Sequence, residues 1–346
     1  MDSTVQYRCP NCGGDIQYSA EKKGFECEYC MSHFTQAEFE EIFKEVEAEH
    51  EKELNNPTTT EFEEHTNLYV CNSCGAEIIA DDNTSATFCC YCHNPVALKG
   101  RLSGEYKPKR VIPFDINKEQ AEKIFKDWVS KKKFTPTDFK SNRTLEKMTG
   151  LYVPFWLADC TTKSRITGLA KSEKSLGNNR TEVSEYNIVR ELNATFLKVP
   201  ADGEKKIEDG LMQAIEPFDY SKLKDFSMSY LSGYYADKFD VNKAEVFPNI
   251  KQRVSDGVVS IVKNDVSKYT SFEITGKDIN FLKTDWEYVL MPVWFLNYKY
   301  KEKFYTFVVN GQSGKVAGKL PLSIVKLIGF GVILTIVLTM ISGLFL

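Results

Sequence analysis

Hydrophobic and polar residues form distinct patterns along the chain, and each pattern predicts a different kind of element. Between residues 101 and 320, apolar residues recur at helical spacing in short segments, of which Val246–Val262 has the clearest period. Apolar runs such as Tyr288–Tyr300 and Phe304–Val309 predict strands instead. We therefore expect a mixed α/β domain over 101–320 and an α+β fold class for the whole chain.

Local sequence signals predict where two helices begin or end and where one turn lies. Asn117 is followed three residues later by Gln120, a capping box that predicts a helix through Trp128. The apolar positions of 207–215 predict a second helix, which ends before a proline. The polar, glycine-containing segment Asn310–Lys315 predicts a tight turn before a final strand.

The last 20 residues, Leu327–Leu346, carry no charge. A helix of that length spans about 30 Å, the thickness of a bilayer's hydrocarbon core. Because lysines precede it, we expect a single-pass cell-membrane anchor over 324–346, with the bulk of the protein on the cytoplasmic side. Small residues every four positions would allow self-association there. The positions that mark this predicted anchor are Leu327, Gly331, Thr335, Thr339, Gly343 and Leu346.

The N-terminal part contains an internal repeat with an offset of 62 residues. Each copy has two C-x2-C pairs separated by fourteen residues, with a glycine after the first pair. The predicted metal ligands are Cys9, Cys12, Cys27 and Cys30 in the first copy, and Cys71, Cys74, Cys89 and Cys92 in the second.

Paired C-x2-C turns place four thiolates around one cation, as in a zinc ribbon. A unit of about 30 residues buries too little apolar surface to fold alone, so the metal supplies the missing free energy. We therefore predict two structural zinc ions, with no open position for a catalytic water. Two alternatives use the same residues: a rubredoxin-like iron site, and cysteines that are buried or redox-active without a metal. Cys90 aligns with Glu28 and is a spare cysteine.

These patterns divide the chain into five parts. We expect a first ribbon over 1–35, an acidic helix and flexible linker over 36–68, and a second ribbon over 69–100. The α+β domain over 101–320 and the anchor over 324–346 complete the chain.

Charge is distributed unevenly and bears on the partners. Residues 1–100 contain 19 acidic and 6 basic residues, whereas the rest contains 29 acidic and 38 basic ones. An acidic ribbon region repels a polyanion, so nucleic-acid binding is disfavoured. The basic remainder suits an anionic lipid surface.

Besides the ribbons, several short segments together resemble one bacterial family: Arg101–Gly104, Val111–Phe114, Gly150–Leu157, Leu197–Pro200, Leu290–Trp294 and Asn310–Lys315. The chain resembles the membrane-anchored proteins of low-GC Gram-positive bacteria described as transcription factor IIB-type zinc ribbon-containing. That resemblance implies a membrane-side scaffold, whose partners would include SPFH-domain or phage-shock-type membrane stress proteins.

Three function classes remain open. The first is a non-enzymatic adaptor that recruits protein partners to the membrane in envelope stress, and the second is a nucleic-acid-binding ribbon protein. The third is an enzyme with carboxylate chemistry in the middle domain. We expect no catalytic residues, because no histidine follows His93 and no P-loop motif is present. Cys160 is expected to be a small buried thiol.

Overall fold

The fold is described from a computed structural model. It describes residues 9–14, 16–19, 24–27, 29–35, 37–38, 41, 62–81, 88–94, 96–101, 106–136, 148–177, 180–231, 234–300 and 303–343. The predicted acidic helix and linker lie outside these residues between 42 and 61, as does Leu346 of the predicted anchor.

Strands dominate the structure and account for 45% of it, so the predicted α+β class is wrong and the protein is mostly β. Apolar runs predicted several short strands, but polar residues that alternate with apolar ones extend these runs into much longer strands. The strands are β1 (Ile16–Ser19), β2 (Gly24–Cys27), β3 (His33–Thr35), β4 (Thr66–Val70), β5 (Glu77–Asp81), β6 (Ala97–Arg101), β7 (Arg110–Val111), β8 (Thr149–Gly177), β9 (Arg180–Asp202), β10 (Lys224–Asp225), β11 (Tyr235–Asp237), β12 (Ser271–Tyr300), β13 (Lys303–Asn310) and β14 (Val316–Gly318).

The longer helices agree with the predicted helical segments. They are α1 (Lys118–Ser130), α2 (Asp209–Ile215), α3 (Lys243–Asp265) and α4 (Ile324–Gly343). The predicted capping box of α1 is confirmed, because the Asn117 side chain accepts from the Gln120 amide and the Gln120 side chain accepts from the Asn117 amide. The predicted turn over Asn310–Lys315 is also confirmed, with Asn310 N donating to Lys315 O at 2.8 Å, before β14.

The chain forms two compact units, each built from separate segments. The first unit takes residues 1–59, 155–203 and 239–289. It contains the small antiparallel sheet β1-β2-β3, and a hairpin in which β9 pairs antiparallel with β8. Helix α3 packs on this hairpin and on β12. The buried contacts are Ile166, Val258 and Val262, packed against Leu192, Phe196, Phe272, Ile274 and Ile279.

The second unit takes residues 60–154, 204–238 and 290–346. Its strands lie in the order β10-β7-β12-β8-β11-β5-β4-β6; β13 pairs with β12, and β14 pairs with β13. Strand β11 is parallel to β8 and antiparallel to β5. Helix α1 packs against β12 and β13 in a buried cluster formed by Ala121, Phe125, Val129, Met148, Trp294, Leu296, Phe307 and Val309.

Within the second unit, the start of helix α4 packs against Phe134 and Thr135, which follow helix α1 in the chain. Ser323 N donates to Phe134 O at 2.7 Å, and Lys326 Nζ donates to Thr135 O at 2.7 Å. The Phe330 ring lies 5.4 Å from the Phe134 ring, edge to face. Phe330 belongs to the uncharged run, and it remains 49% exposed despite this contact.

In the part of the chain that the structure describes, no helix is long and apolar enough to cross a membrane. The predicted transmembrane anchor, and the membrane localisation that rested on it, are corrected accordingly. Within this helix, Thr335 Oγ1 donates to Gly331 O at 2.9 Å, and Thr339 Oγ1 donates to Thr335 O at 3.0 Å.

Candidate metal centres

The first four-cysteine group is assembled by β1-β2 and the turns at its two ends. The Cys9 and Cys30 sulfurs lie 3.5 Å apart, and those of Cys12 and Cys27 lie 3.4 Å apart. Gly13 follows the first pair with a φ of 72°, a conformation that glycine adopts without strain. Its amide donates to Cys9 O at 2.7 Å, which closes the turn and aims both thiols inward.

The second group has the same geometry. The Cys71 and Cys92 sulfurs lie 3.5 Å apart, and those of Cys74 and Cys89 lie 3.6 Å apart. Gly75 follows with a φ of 71°, and its amide donates to Cys71 O at 2.8 Å. Within each group, all four sulfurs lie within 4.8 Å of one another.

A cross-knuckle hydrogen bond recurs in both ribbons with its two partners exchanged. In the first, Asn11 Nδ2 donates to Ser32 Oγ at 2.9 Å; in the second, Asn94 Nδ2 donates to Ser73 Oγ at 2.8 Å. Ser73 and Asn94 are the repeat equivalents of Asn11 and Ser32. The exchange preserves the bond, so the repeat maintains a contact between knuckles as well as four ligands.

The donor sets suit two structural zinc ions. Four sulfurs at about 2.3 Å from one tetrahedral zinc are about 3.8 Å from each other, close to the separations observed. Each group offers four thiols and leaves no position for a water, which is typical of a structural site.

Crowding of the thiols also favours a bound cation. Hydrogen bonds with Cys12 and Cys9 lower the pKa of Cys30 to about 2. In contrast, hydrogen bonds with Cys12 and Cys30, together with burial, raise the pKa of Cys9. One thiol therefore ionises easily while its neighbours resist a second charge. A divalent cation at the centre removes that conflict, because it stabilises all the thiolates together.

The first ribbon is fixed to its unit through residues beside the ligands. The indole Nε1 of Trp286 donates to Asn11 O at 2.7 Å, inside the first C-x2-C pair. A Cβ added at Gly13 would lie 3.3 Å from the Lys243 side chain, at the start of α3. The ribbon thus contacts both β12 and α3 of the first unit.

The second ribbon is continuous with the sheet of its unit. Strand β5 follows the first C-x2-C pair and pairs antiparallel with β11, with Ile79 opposite Ala236. Inside the second pair, Tyr91 O accepts from Asn297 Nδ2 at 2.5 Å, and the Tyr91 hydroxyl donates to Asp237. His93 Nε2 donates to Asn297 O at 2.8 Å. This ribbon therefore forms part of the folded core of its unit.

The sequence did not predict the residues that attach each ribbon to its unit. His93 is half-buried and donates a hydrogen bond to Asn297 O, which the C-x2-C spacing alone does not predict. Cys90 is buried beside Asp237, and its hydrogen bond with Cys89 raises the Cys90 pKa. The signal available was the repeat itself, because Cys90, Tyr91 and His93 all lie within or next to a knuckle whose spacing was already known.

Cys160 is fully buried in β8, as expected for a structural thiol. Burial raises the pKa of this thiol to about 11. At neutral pH it is therefore protonated and a poor nucleophile.

Comparison with known proteins agrees with the ribbon geometry. Residues 1–52 match the family model described as the reverse gyrase zinc finger. The Bacillus subtilis (strain 168) uncharacterized protein YdjG is 33% identical over 328 residues, which cover 92% of this chain and 91% of that protein. No solved structure matches. Because the identity extends over nearly the full length of both chains, this protein belongs to the bacterial zinc-ribbon family that includes YdjG.

Proposed function

We propose that the protein is a non-enzymatic scaffold whose zinc ribbons bind a protein partner. The observation that supports this most is that each ribbon is fixed to a folded unit and still displays large apolar side chains to solvent. The exposed fractions are 72% for Met31 on the first ribbon, and 58% for Phe88 and 59% for Leu98 on the second.

Exposed apolar side chains on a rigid support are typical of protein interfaces. Binding through a preorganised surface loses less conformational entropy than binding through a flexible arm. Apolar and aromatic side chains also contribute most of the energy at protein interfaces. Trp286 and Asn297 supply the rigidity here, since each donates a hydrogen bond into a knuckle.

The composition of the ribbon region supports a protein partner over a nucleic acid. The 19 acidic and 6 basic residues of 1–100 favour a partner with a basic surface. The family resemblance suggests SPFH-domain and phage-shock-type proteins as the first candidates to test.

Affinity capture of the full-length protein tests the proposal. We expect one discrete protein to co-purify with the wild type and to fall at least tenfold with Met31→Asn or with Phe88→Ser plus Leu98→Ser. Asn suits position 31 because its φ is 60°. Leu176→Ser is the matched control, since Leu176 is 59% exposed on β8 and belongs to neither ribbon.

Zinc content and thermal midpoint should be unchanged in these variants. A lower yield of the co-purified protein is then due to loss of the exposed apolar side chains. Equal capture by all variants would contradict the proposal. Nuclease-sensitive, salt-dependent retention of nucleic acid by the full chain would favour the nucleic-acid alternative instead.

A further inference from the structure

The first unit contains a cavity of 420 Å³ between the first ribbon, helix α3 and strand β12. This volume lies within the range of about 300–1,000 Å³ that is usual for small-molecule sites. The scaffold function proposed above does not use this cavity.

Helix α3 forms one wall of the cavity with a single face. The residues that share this face follow one another at intervals of three and four, the spacing of neighbours on a helix. They are Ala244, Phe247, Lys251 and Ser255. Phe247 is 2% exposed, and its ring centre lies 5.4 Å from that of Phe281, which also lines the cavity, so the base of the cavity is apolar.

Strand β12 forms the opposite wall with alternating residues, as a strand presents them on one face. Lys277, Ile279 and Phe281 line it. Tyr29 closes one end from within the second C-x2-C pair of the first ribbon. A Cβ added at Gly14 would lie 2.7 Å from Tyr29 Cδ2, so the absence of a side chain at Gly14 lets the tyrosine ring lie against the ribbon backbone.

The charge of the cavity is positive. Lys277 Nζ donates to Ser255 Oγ at 2.7 Å, which directs this ammonium group towards α3. Lys251 Nζ lies 5.7 Å from the centre of the Phe247 ring. None of the described residues that line the cavity is acidic. Two ammonium groups thus stand beside an apolar base formed by Phe247, Ile279 and Phe281.

We propose that this cavity binds a small organic anion, with a carboxylate, sulfonate or phosphate group on an aromatic or branched aliphatic body. The anionic group accepts from Lys277 and Lys251, because charge-assisted hydrogen bonds are stronger than neutral ones. The apolar body lies on Phe247, Ile279 and Phe281, where it displaces water from apolar surface. The shape and the charge of the cavity are both needed for this recognition.

Calorimetric titration of the full-length protein with 2-naphthoate tests the proposal, and 2-naphthamide is the neutral probe of the same shape. We expect one naphthoate per chain, bound about tenfold more tightly than the amide, since one charge-assisted hydrogen bond is worth about that factor. Lys277→Gln should reduce this preference, because glutamine can still donate to Ser255 but carries no charge, and only the Lys251 ammonium group remains. Lys263→Gln, at an exposed position of the same helix, is the matched control and should bind as the wild type does.

Tyr29→Ala separates shape from charge. We expect it to weaken both probes by a similar factor and to retain the preference for naphthoate, since it removes an apolar wall and no ammonium group. The proposal is overturned if naphthoate shows no saturable binding, if the amide binds equally well, or if Lys277→Gln behaves like the Lys263→Gln control. Equal binding of inorganic phosphate alone would overturn the role of the apolar base.

Discussion

At the scale of single residues, the backbone carbonyls beside the zinc ligands attach each ribbon to its unit. Asn11 and Tyr91 each lie inside a C-x2-C pair and accept a hydrogen bond from Trp286 and Asn297 respectively. The ligands hold each knuckle rigid, so the residues between them are presented at fixed positions. A short motif thereby provides both a metal site and a point of attachment.

Cys160 provides a prediction at this scale. Burial raises its pKa from an ordinary value of 9.0 to about 11, so at pH 8 the native protein should contain about a hundredfold less thiolate at this position than the unfolded chain. We expect alkylation of Cys160 by iodoacetamide, followed by peptide mass spectrometry, to be slower by at least that factor in native protein than in urea. The native rate should rise with pH up to about 11. A native rate at pH 8 equal to that in urea would contradict the assignment of a buried, protonated thiol.

At the scale of elements, local signals were reliable where the contacts that stabilise the element are also local. The capping box at Asn117 and Gln120 lies within four residues, and it marks the start of α1. The extent of β8 and β9 could not be predicted in this way. Their pairing runs from Phe155 opposite Asp202 to Gly177 opposite Arg180, and polar residues on the solvent-facing side are stabilised only by the neighbouring strand.

The N-cap of α1 supplies a prediction at the scale of elements. Asn117→Ala should lower the free energy of unfolding by about 1 kcal/mol, because the Gln120 amide loses its acceptor at the helix start. Asn117→Asp should stay close to wild type, since a carboxylate can accept the same bond near the positive end of the helix. Urea unfolding followed by circular dichroism measures both variants. Equal destabilisation by Ala and Asp would show that the cap does not stabilise the helix.

At the scale of the whole molecule, the two ribbons belong to different units although they are copies of one repeat. The first is attached by side chains around its knuckles, through Trp286 and the start of α3. The second shares a sheet with its unit through β5 and β11. The repeat therefore predicts the same kind of metal site in both copies, but it does not predict how each copy is attached to its unit.

Loss of each metal site should consequently affect a different part of the chain. Cys9→Ser with Cys12→Ser should leave one zinc per chain by elemental analysis and increase hydrogen exchange near Trp286 and the start of α3. Cys71→Ser with Cys74→Ser should also leave one zinc, but should increase exchange in β5 and β11. Each double variant serves as the control for the other, because folding free energy supplied by zinc is lost only where that zinc binds. Equal changes in both units with either variant would contradict this division.

The sequence by itself determined the two metal sites, the capping box of α1 and the turn before β14. In each of these features, the interacting groups are only a few residues apart or are set at the fixed spacing of the C-x2-C pairs. The distance along the chain therefore predicts which groups come together. The tertiary structure decided what depends on distant contacts: the pairing of β5 with β11, the bond between His93 and Asn297, and the cavity whose walls come from Tyr29, α3 and β12. It also corrected the interpretation of the last helix, since the part of the chain that the structure describes contains no helix that could span a membrane. Spacing along the chain determines local chemistry, whereas packing between distant segments determines which surfaces remain available.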